Sequence, residues 1–420
     1  MIADDIYRHV DEKKLHNYAK LAVQVGANVQ DDQLVVIHSD TRNAVLARLI
    51  QTEAYAVGAS NVVIDWTDEL SDREFYLHAR DDAIDHLPRW QSARFREWDD
   101  AGAAYIRIIS ENPDIFKGVS VERMSRFGKA SRIELRDHYA RTRSYDVRWS
   151  LLAVPNAAWA AKVFPQMSEA EALESLWQLI LQGARANGED PVEDWREHGG
   201  SFERRIGFLN ERQFGALHFT NSFGTDLWVG LPKRHAFIGG HVLDGRGVPF
   251  FPNIPTEEIF TAPHKNEVHG RLASSKPLIH EGNTIHDVFL TFEDGRIVDY
   301  RAATGREVLR SVIETDEGSH YLGEIALVAD DSPLSRTGAL FFNTLFDENT
   351  ACHIGIGNAS PATLQGGGSL QPRELEKAGL NKSLVLVNLT FGSSDMRVVG
   401  VEDNGTEVLL MQDGRYRFEQ

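Results

Sequence analysis

Along residues 1–150 the apolar positions switch repeatedly between helical spacing and short continuous runs. Residues 15–29 carry helical spacing and 33–38 form a short apolar run; Asp40 can then cap a helix in which Ala44, Leu46, Leu49 and Ile50 recur on one side. Runs at 61–66, 104–109 and 151–155 read as further strands, with helices rich in Arg, Asp and Glu between them. That alternation predicts an α/β domain built on a mainly parallel sheet. Residues 167–213 are mostly helical and form a connection into the second half of the chain.

Beyond residue 215 the pattern changes to short strands separated by glycine-rich turns, at 216–219, 226–231, 288–292, 297–301, 407–411 and 415–418. Asp294-Gly295 and Asp413-Gly414 mark two hairpins, because Asp-Gly suits the positive φ of tight hairpin turns. Helical spacing is sparser here and clearest at 305–313 and 372–378. The expected architecture is an N-terminal α/β domain with its helical connection over 1–215, followed by a β-rich α+β domain over 216–420.

Three stretches imitate functional signals. Trp66-Thr67-Asp68 follows a strand, as ligand loops do, but no glycine fingerprint accompanies it, and it reads as structural. The arginines at 123, 126, 132, 136, 141 and 143 are interleaved with acids and read as an exposed helix face. Gly366-Gly367-Gly368 lacks the Lys-Ser/Thr ending of a phosphate loop and reads as a flexible loop.

A length of 420 residues suits two domains, and 42% hydrophobic with 25% charged residues describes an ordinary folded protein. The formal net charge of -18 argues against nucleic acid or an anionic membrane as partner, since phosphates would be repelled over most of the surface. A lone cysteine, Cys352, leaves no intramolecular disulfide and fits a reducing compartment. The first residues hold no basic region followed by an apolar run, and no window reaches the roughly 18 apolar residues of a membrane span. A cytoplasmic protein is expected.

Candidate chemistry lies between Asn253 and Asn388. Segments 253–258, 322–324 and 346–353 supply carboxylates and a histidine, types that suit zinc, manganese, cobalt or iron and with them the activation of a bound water. By residue type alone, Glu258, Glu324 and His353 are three among 62 acids and 16 histidines. Adjacent Glu257 and Glu258 on an extended segment point to opposite sides, so one of them can face a given metal. Cys352 reads as a small buried neighbour of His353 rather than a nucleophile, because no second histidine is evidently paired with it.

Several runs resemble the thermophilic-type metallo-aminopeptidases, the group of aminopeptidase T, aminopeptidase S and PepS-like enzymes. They are Asn-Ile-Pro-Thr-Glu-Glu-Ile-Phe-Thr-Ala-Pro-His from 253, Ser-Lys-Pro-Leu from 275, Glu-Thr-Asp-Glu-Gly from 314, Leu-Gly-Glu-Ile-Ala-Leu-Val from 322, Asn-Thr-Leu-Phe-Asp-Glu-Asn from 343 and Ala-Gly-Leu-Asn-Lys-Ser from 378. The N-terminal half agrees more loosely, through Tyr18-Ala19-Lys20-Leu21, Trp66-Thr67-Asp68 and Leu231-Pro232-Lys233. The resemblance implies an aminopeptidase that removes N-terminal residues from peptides, a two-metal site in the C-terminal domain and a homodimer. Carried over by motif, Glu258, Glu324 and His353 are metal ligands, with Glu324 the bridging carboxylate and Glu257 or Glu258 the candidate general base.

The chain also departs from that pattern. Where the family has a tyrosine seven residues after the histidine, Ser360 stands here. The family's His-Val-Asp strand, whose first and third side chains both bind metal, reads Leu386-Val387-Asn388. Leu386 cannot coordinate, and Asn388 offers only a neutral amide oxygen. One metal rather than two is therefore expected. Three readings follow: hydrolysis on a reduced site, or an altered one-metal reaction; replacement of the lost ligands by His269, His280 or His286; or a non-catalytic relative kept for binding or assembly.

Overall fold

The computed structural model describes residues 6–110, 112, 114–280 and 283–418. It divides into two compact units, the first formed by the chain up to Glu197 together with His241–Pro255, the second by His198–Gly240 together with the chain from Thr256 onward. The first crossing falls inside the helix Pro191–Arg212.

The first unit holds four parallel strands, β1 (Leu34–Asp40), β2 (Asn61–Thr67), β3 (Ala104–Ile109) and β4 (Trp149–Ala153), in the order β2-β1-β3-β4. Val35, Val36 and Ile37 are all buried, as both faces of a parallel sheet require. The helices begin where short polar side chains satisfy their first free N–H groups: Asp11 accepts from Lys14, Asp40 from Arg42 and Asp68 from Leu70. Asp68 thus has the structural role read for its tripeptide. The basic run forms the helices Val121–Glu134 and Arg136–Arg143, with Arg123 paired to Asp81 at 2.8 Å and Arg126 to Asp85 at 2.7 Å, as a solvated helix face should be. His241–Pro255 is held in this unit by the buried Arg148, which bonds Asp244 at 2.8 Å, and by the Ser150 hydroxyl, which donates to the Phe251 carbonyl. Among the described residues no helix is long and apolar enough to cross a membrane.

The second unit is built on two large antiparallel sheets, beside a small two-stranded pairing of Leu278–His280 with Asn283–Ile285. The strands of the two large sheets are β5 (Ala216–Thr220), β6 (Asp226–Gly230), β7 (Ile238–Gly239), β8 (Ile259–Thr261), β9 (Val268–Ala273), β10 (Phe289–Glu293), β11 (Arg296–Arg301), β12 (Leu322–Leu327), β13 (His353–Gly357), β14 (Leu386–Thr390), β15 (Arg397–Val401), β16 (Glu407–Gln412) and β17 (Arg415–Tyr416). The eight-stranded sheet runs β11-β10-β9-β6-β5-β15-β16-β17, and the five-stranded sheet β14-β13-β12-β8-β7. Both Asp-Gly hairpins form, with Asp294 and Asp413 at positive φ. Leu217, Phe219, Val229, Leu227 and Val398 of the larger sheet share a core with Ile325, Ile354, Ile356 and Leu389 of the smaller one.

The smaller sheet is positioned by polar side chains from two of the resembling motifs. Asp316 accepts from the Leu384 amide at 2.6 Å and the Ser383 hydroxyl at 2.9 Å, fixing where β14 starts. Asn381, buried, donates to the carbonyls of Gly318 at 2.7 Å and Gly357 at 2.6 Å. Gly357 adopts φ 118°, and a Cβ there would lie 2.0 Å from the Val385 carbonyl, so the β13–β14 approach needs glycine. Asn381→Ala strands two buried carbonyls and is expected to cost about 1–3 kcal/mol in urea unfolding. A loss below about 0.5 kcal/mol, the scale of ordinary surface substitutions, would contradict this pinning role.

Candidate metal centre

Strand register places the candidate residues on one face of the five-stranded sheet. Glu324 pairs with Gly355 and Ala326 with His353 across β12–β13; Gly355 pairs with Asn388, His353 with Thr390 and Gly357 with Leu386 across β13–β14. Directly opposed residues in an antiparallel pair share a face, so Glu324, His353, Leu386 and Asn388 all project the same way. A register shift between Leu322 and Glu324 marks a bulge, a device that re-aims a side chain. Gly355 sits in the middle of this row. A Cβ there would meet Leu386 Cδ1 at 2.6 Å and Glu324 Cβ at 2.8 Å, so its bare backbone leaves the space into which the carboxylate reaches.

Glu258 arrives from the segment just before β8. Its Oε2 lies 3.2 Å from His353 Nε2, and Glu324 Oε1 lies 3.4 Å from the same nitrogen. One donor atom from each of the three residues falls within 4.8 Å of the others, the only such metal-compatible group among the described residues. His353 is fully buried, and its Nδ1 donates to the Ala351 carbonyl at 3.3 Å, which leaves Nε2 as the free lone pair of the neutral ring. Neither His353 Nε2 nor Glu258 Oε2 has a hydrogen bond of proper geometry, although both are buried. Converging buried donors without hydrogen bonds are what a cation requires. The residues present therefore fit one divalent ion with two oxygen donors and one nitrogen.

Electrostatics point the same way. Burial alone would depress the His353 pKa, but Glu258 and Glu324 outweigh it and push that pKa well above the ordinary histidine range. Burial raises Glu324, with Glu258 adding to the rise against the pull of His353. A proton on the imidazole stands in for the positive charge that the cluster demands, and a metal would displace it.

Sequence reasoning missed Glu348. It lies in the short turn Glu348–Thr350 and accepts from Asn388 Nδ2 at 3.2 Å. Burial raises its pKa well above the ordinary carboxylate range, and the charges of Glu258 and Glu324 add to that. Its neighbours explain the whole Asp-Glu-Asn run. Asp347 accepts from the amides of Phe341 and Asn343, and buried Asn349 accepts from the Glu257 amide at 2.7 Å while donating to the Leu345 carbonyl. The available signal was the run itself, five residues before His353, which served only as context for the histidine.

The other candidates lie apart from the cluster. The Glu257 carboxylate is not part of the group and lies 3.8 Å from His198 Nε2. His269 is half exposed, opposite Trp228 on the larger sheet, and neither it nor His280 or His286 belongs to the group. Leu386 is 48% exposed beside Glu324, an apolar side chain where the resemblance expects an imidazole. Ser360 precedes the turn Pro361–Thr363, and the triple glycine leads into the turn Gly367–Ser369, which contains its last two residues.

The description "Thermophilic metalloprotease (M29)" fits residues 11–416. This chain belongs to the thermophilic metalloprotease family. An M29 relative, aminopeptidase AmpS of Bacillus subtilis strain 168, is 41% identical over 406 residues, which is 97% of this chain and 99% of that protein. The wild-type AmpT structure from Thermus thermophilus superposes with a TM-score of 0.89 at 35% identity, covering 96% of this chain and 99% of the other. The 2,5-dihydroxypyridine dioxygenase of Pseudomonas putida KT2440 shares the fold at a TM-score of 0.52 and 11% identity, covering 96% of each chain. M29 membership implies a divalent metal ion.

Cys352, immediately before His353, is 1% exposed, and burial pushes its thiol up to about 11. The thiolate is the nucleophilic form, so this sulfur is inert at neutral pH. Native protein treated with iodoacetamide at pH 7 is expected to stay unlabelled, whereas the urea-unfolded chain takes up one label by intact mass. Complete labelling of the native chain would show this side of β13 to be open.

Proposed function

We propose that this chain is a one-metal aminopeptidase that removes N-terminal residues from peptides. The observation that carries the reading is the complete Glu258–Glu324–His353 group standing beside Leu386 and Asn388 on the same sheet face. Aminopeptidase relatives that align along almost the whole chain support the reaction class. Zinc, manganese, cobalt or iron each accept this oxygen and nitrogen set.

A second ion in this place has Glu324 and Glu348 within reach but neither an imidazole from Leu386 nor a carboxylate from Asn388. Loss of an outer hydrogen-bond partner alone typically costs ~10–100-fold in metal affinity, and loss of two direct ligands costs more. When bound, the single metal supplies a water of lowered pKa and polarises the scissile carbonyl. Glu258 carries two carboxylate oxygens, one turned to His353 and a second to accept the water's proton; Glu257, turned toward His198, supports the segment instead. The same reading gives a cytoplasmic homodimer acting on peptides, in keeping with the single cysteine, the acidic surface and the resemblance.

The missing ligands favour a second reading, in which the fold persists and peptide cleavage has been altered or lost. Elemental analysis combined with release of p-nitroaniline from amino-acid p-nitroanilides separates the two. One metal per chain with chelator-sensitive turnover is expected. One metal without turnover selects an altered reaction, and no metal selects a binding or scaffold role. The double change Leu386→His with Asn388→Asp is expected to raise the content toward two metals per chain, and an unchanged content would show that these side chains do not reach the ion.

A further inference from the structure

The side of the site that lacks metal ligands is chemically specific. Asn388 Nδ2 donates to Glu348 Oε2, which turns the amide oxygen away from that carboxylate. Asn388 Oδ1 is buried and has no hydrogen-bond partner. An unpaired buried acceptor of this kind is costly unless something donates to it. Glu348 and Asn388 also face a cavity of about 60 Å³ whose other walls include Pro277, Leu278, Ile279 and Phe342. That space is several times the roughly 10–15 Å³ a single water needs; those four residues form its apolar side, and Asn343, Thr344, Asp347 and Thr390 together with Glu348 and Asn388 form its polar side.

Charge completes the description. Glu258, Glu324 and Glu348 act on one another with one imidazole among them. One divalent ion balances two of the three carboxylates and leaves the third without a counter-charge. The third carboxylate and the unpaired amide oxygen together call for a monocation that donates hydrogen bonds and carries a short apolar tail. A second divalent ion meets Glu324, Glu348, a neutral amide and a leucine here, without the imidazole and the further carboxylate that the resemblance expects. A primary ammonium meets two acceptors, with the apolar side of the cavity at Pro277, Leu278, Ile279 and Phe342 next to them.

We propose that Glu348 and Asn388 bind the substrate's α-ammonium group where a second metal would otherwise sit, with a short aliphatic first side chain entering the adjoining cavity. This rests on the aminopeptidase reading, because it is a free peptide N-terminus that presents this group next to the scissile carbonyl. Glu348 and Asn388 are thus recognition and positioning residues, and they select unblocked peptides that begin with a small aliphatic residue.

Equilibrium binding tests the assignment without turnover. Calorimetry on the metal-loaded protein compares 2-aminobutyramide with butyramide, which differ only in the amine. The wild type is expected to prefer the amine by roughly 10–100-fold, the range of hydrogen bonds to charged groups. Glu348→Gln and Asn388→Ala, each checked for metal content and cooperative unfolding, are expected to reduce that preference to a few-fold. Phenylalaninamide, too large for the cavity, is expected to bind more weakly than 2-aminobutyramide. Equal affinity for amine and des-amino ligand in the wild type overturns the proposal, as does a preference that survives Glu348→Gln, or displacement of the amine by a second equivalent of the metal. If p-nitroanilides are not cleaved but the Glu348-dependent amine preference is present, the hydrolysis reading fails and amine recognition stands. If they are cleaved without such a preference, the reverse holds.

Discussion

Carboxylates drawn to one buried imidazole set the terms on which the rest of the second unit is built. Like charges within a few ångströms in a poorly solvated site repel strongly, and only a cation between them makes the arrangement tolerable. Much of the surrounding polar structure keeps them in place: Asn349 holds the Glu257–Glu258 segment, Asp347 the preceding loop, Asp316 and Asn381 the strand on the far side of His353. Two of these supports are amide side chains and two are carboxylates whose oxygens accept backbone N–H groups, so each fixes geometry through hydrogen bonds of its own.

That division of labour explains how β14 can change its chemistry without changing its path. The strand is fixed by backbone pairing to β13 and by Val387 and Leu389, which face the core. Leu386 and Asn388 project from the other side, the face that carries Glu324 and His353. A close superposition on AmpT therefore reports the scaffold and leaves the identity of the two outward-facing side chains open to change.

The broad architecture was legible in the sequence because period is a local signal. The alternating first half gave a parallel sheet, and the two Asp-Gly turns gave hairpins where they were expected. Glu258, Glu324 and His353 were legible through motifs, and register puts Leu386 and Asn388 on the face the His-Val-Asp comparison required. Glu348 was not, because a glutamate between Asp and Asn in a turn has no periodicity to show which way it points. The return of His241–Pro255 to the first unit was equally silent, since it depends on Arg148 meeting Asp244, 96 residues apart. Long-range pairing of buried polar groups leaves no trace in local composition.

The interleaved order of the two units bears on how the protein can be taken apart. Phe202, Leu209 and Phe214 belong to the core of the second unit yet precede its first strand, and His241–Pro255 lies between two stretches of that unit while belonging to the other. No single cut in the polypeptide separates one unit from the other. A fragment with the Glu258–Glu324–His353 group would have to begin near His198 and have the 241–255 excursion replaced by a short bridge. Nicking in that excursion would leave the parallel sheet with its own segment detached in sequence but still bonded through Arg148 and Ser150. Gene fusion or truncation of this chain is thus constrained by its threading more than by its length.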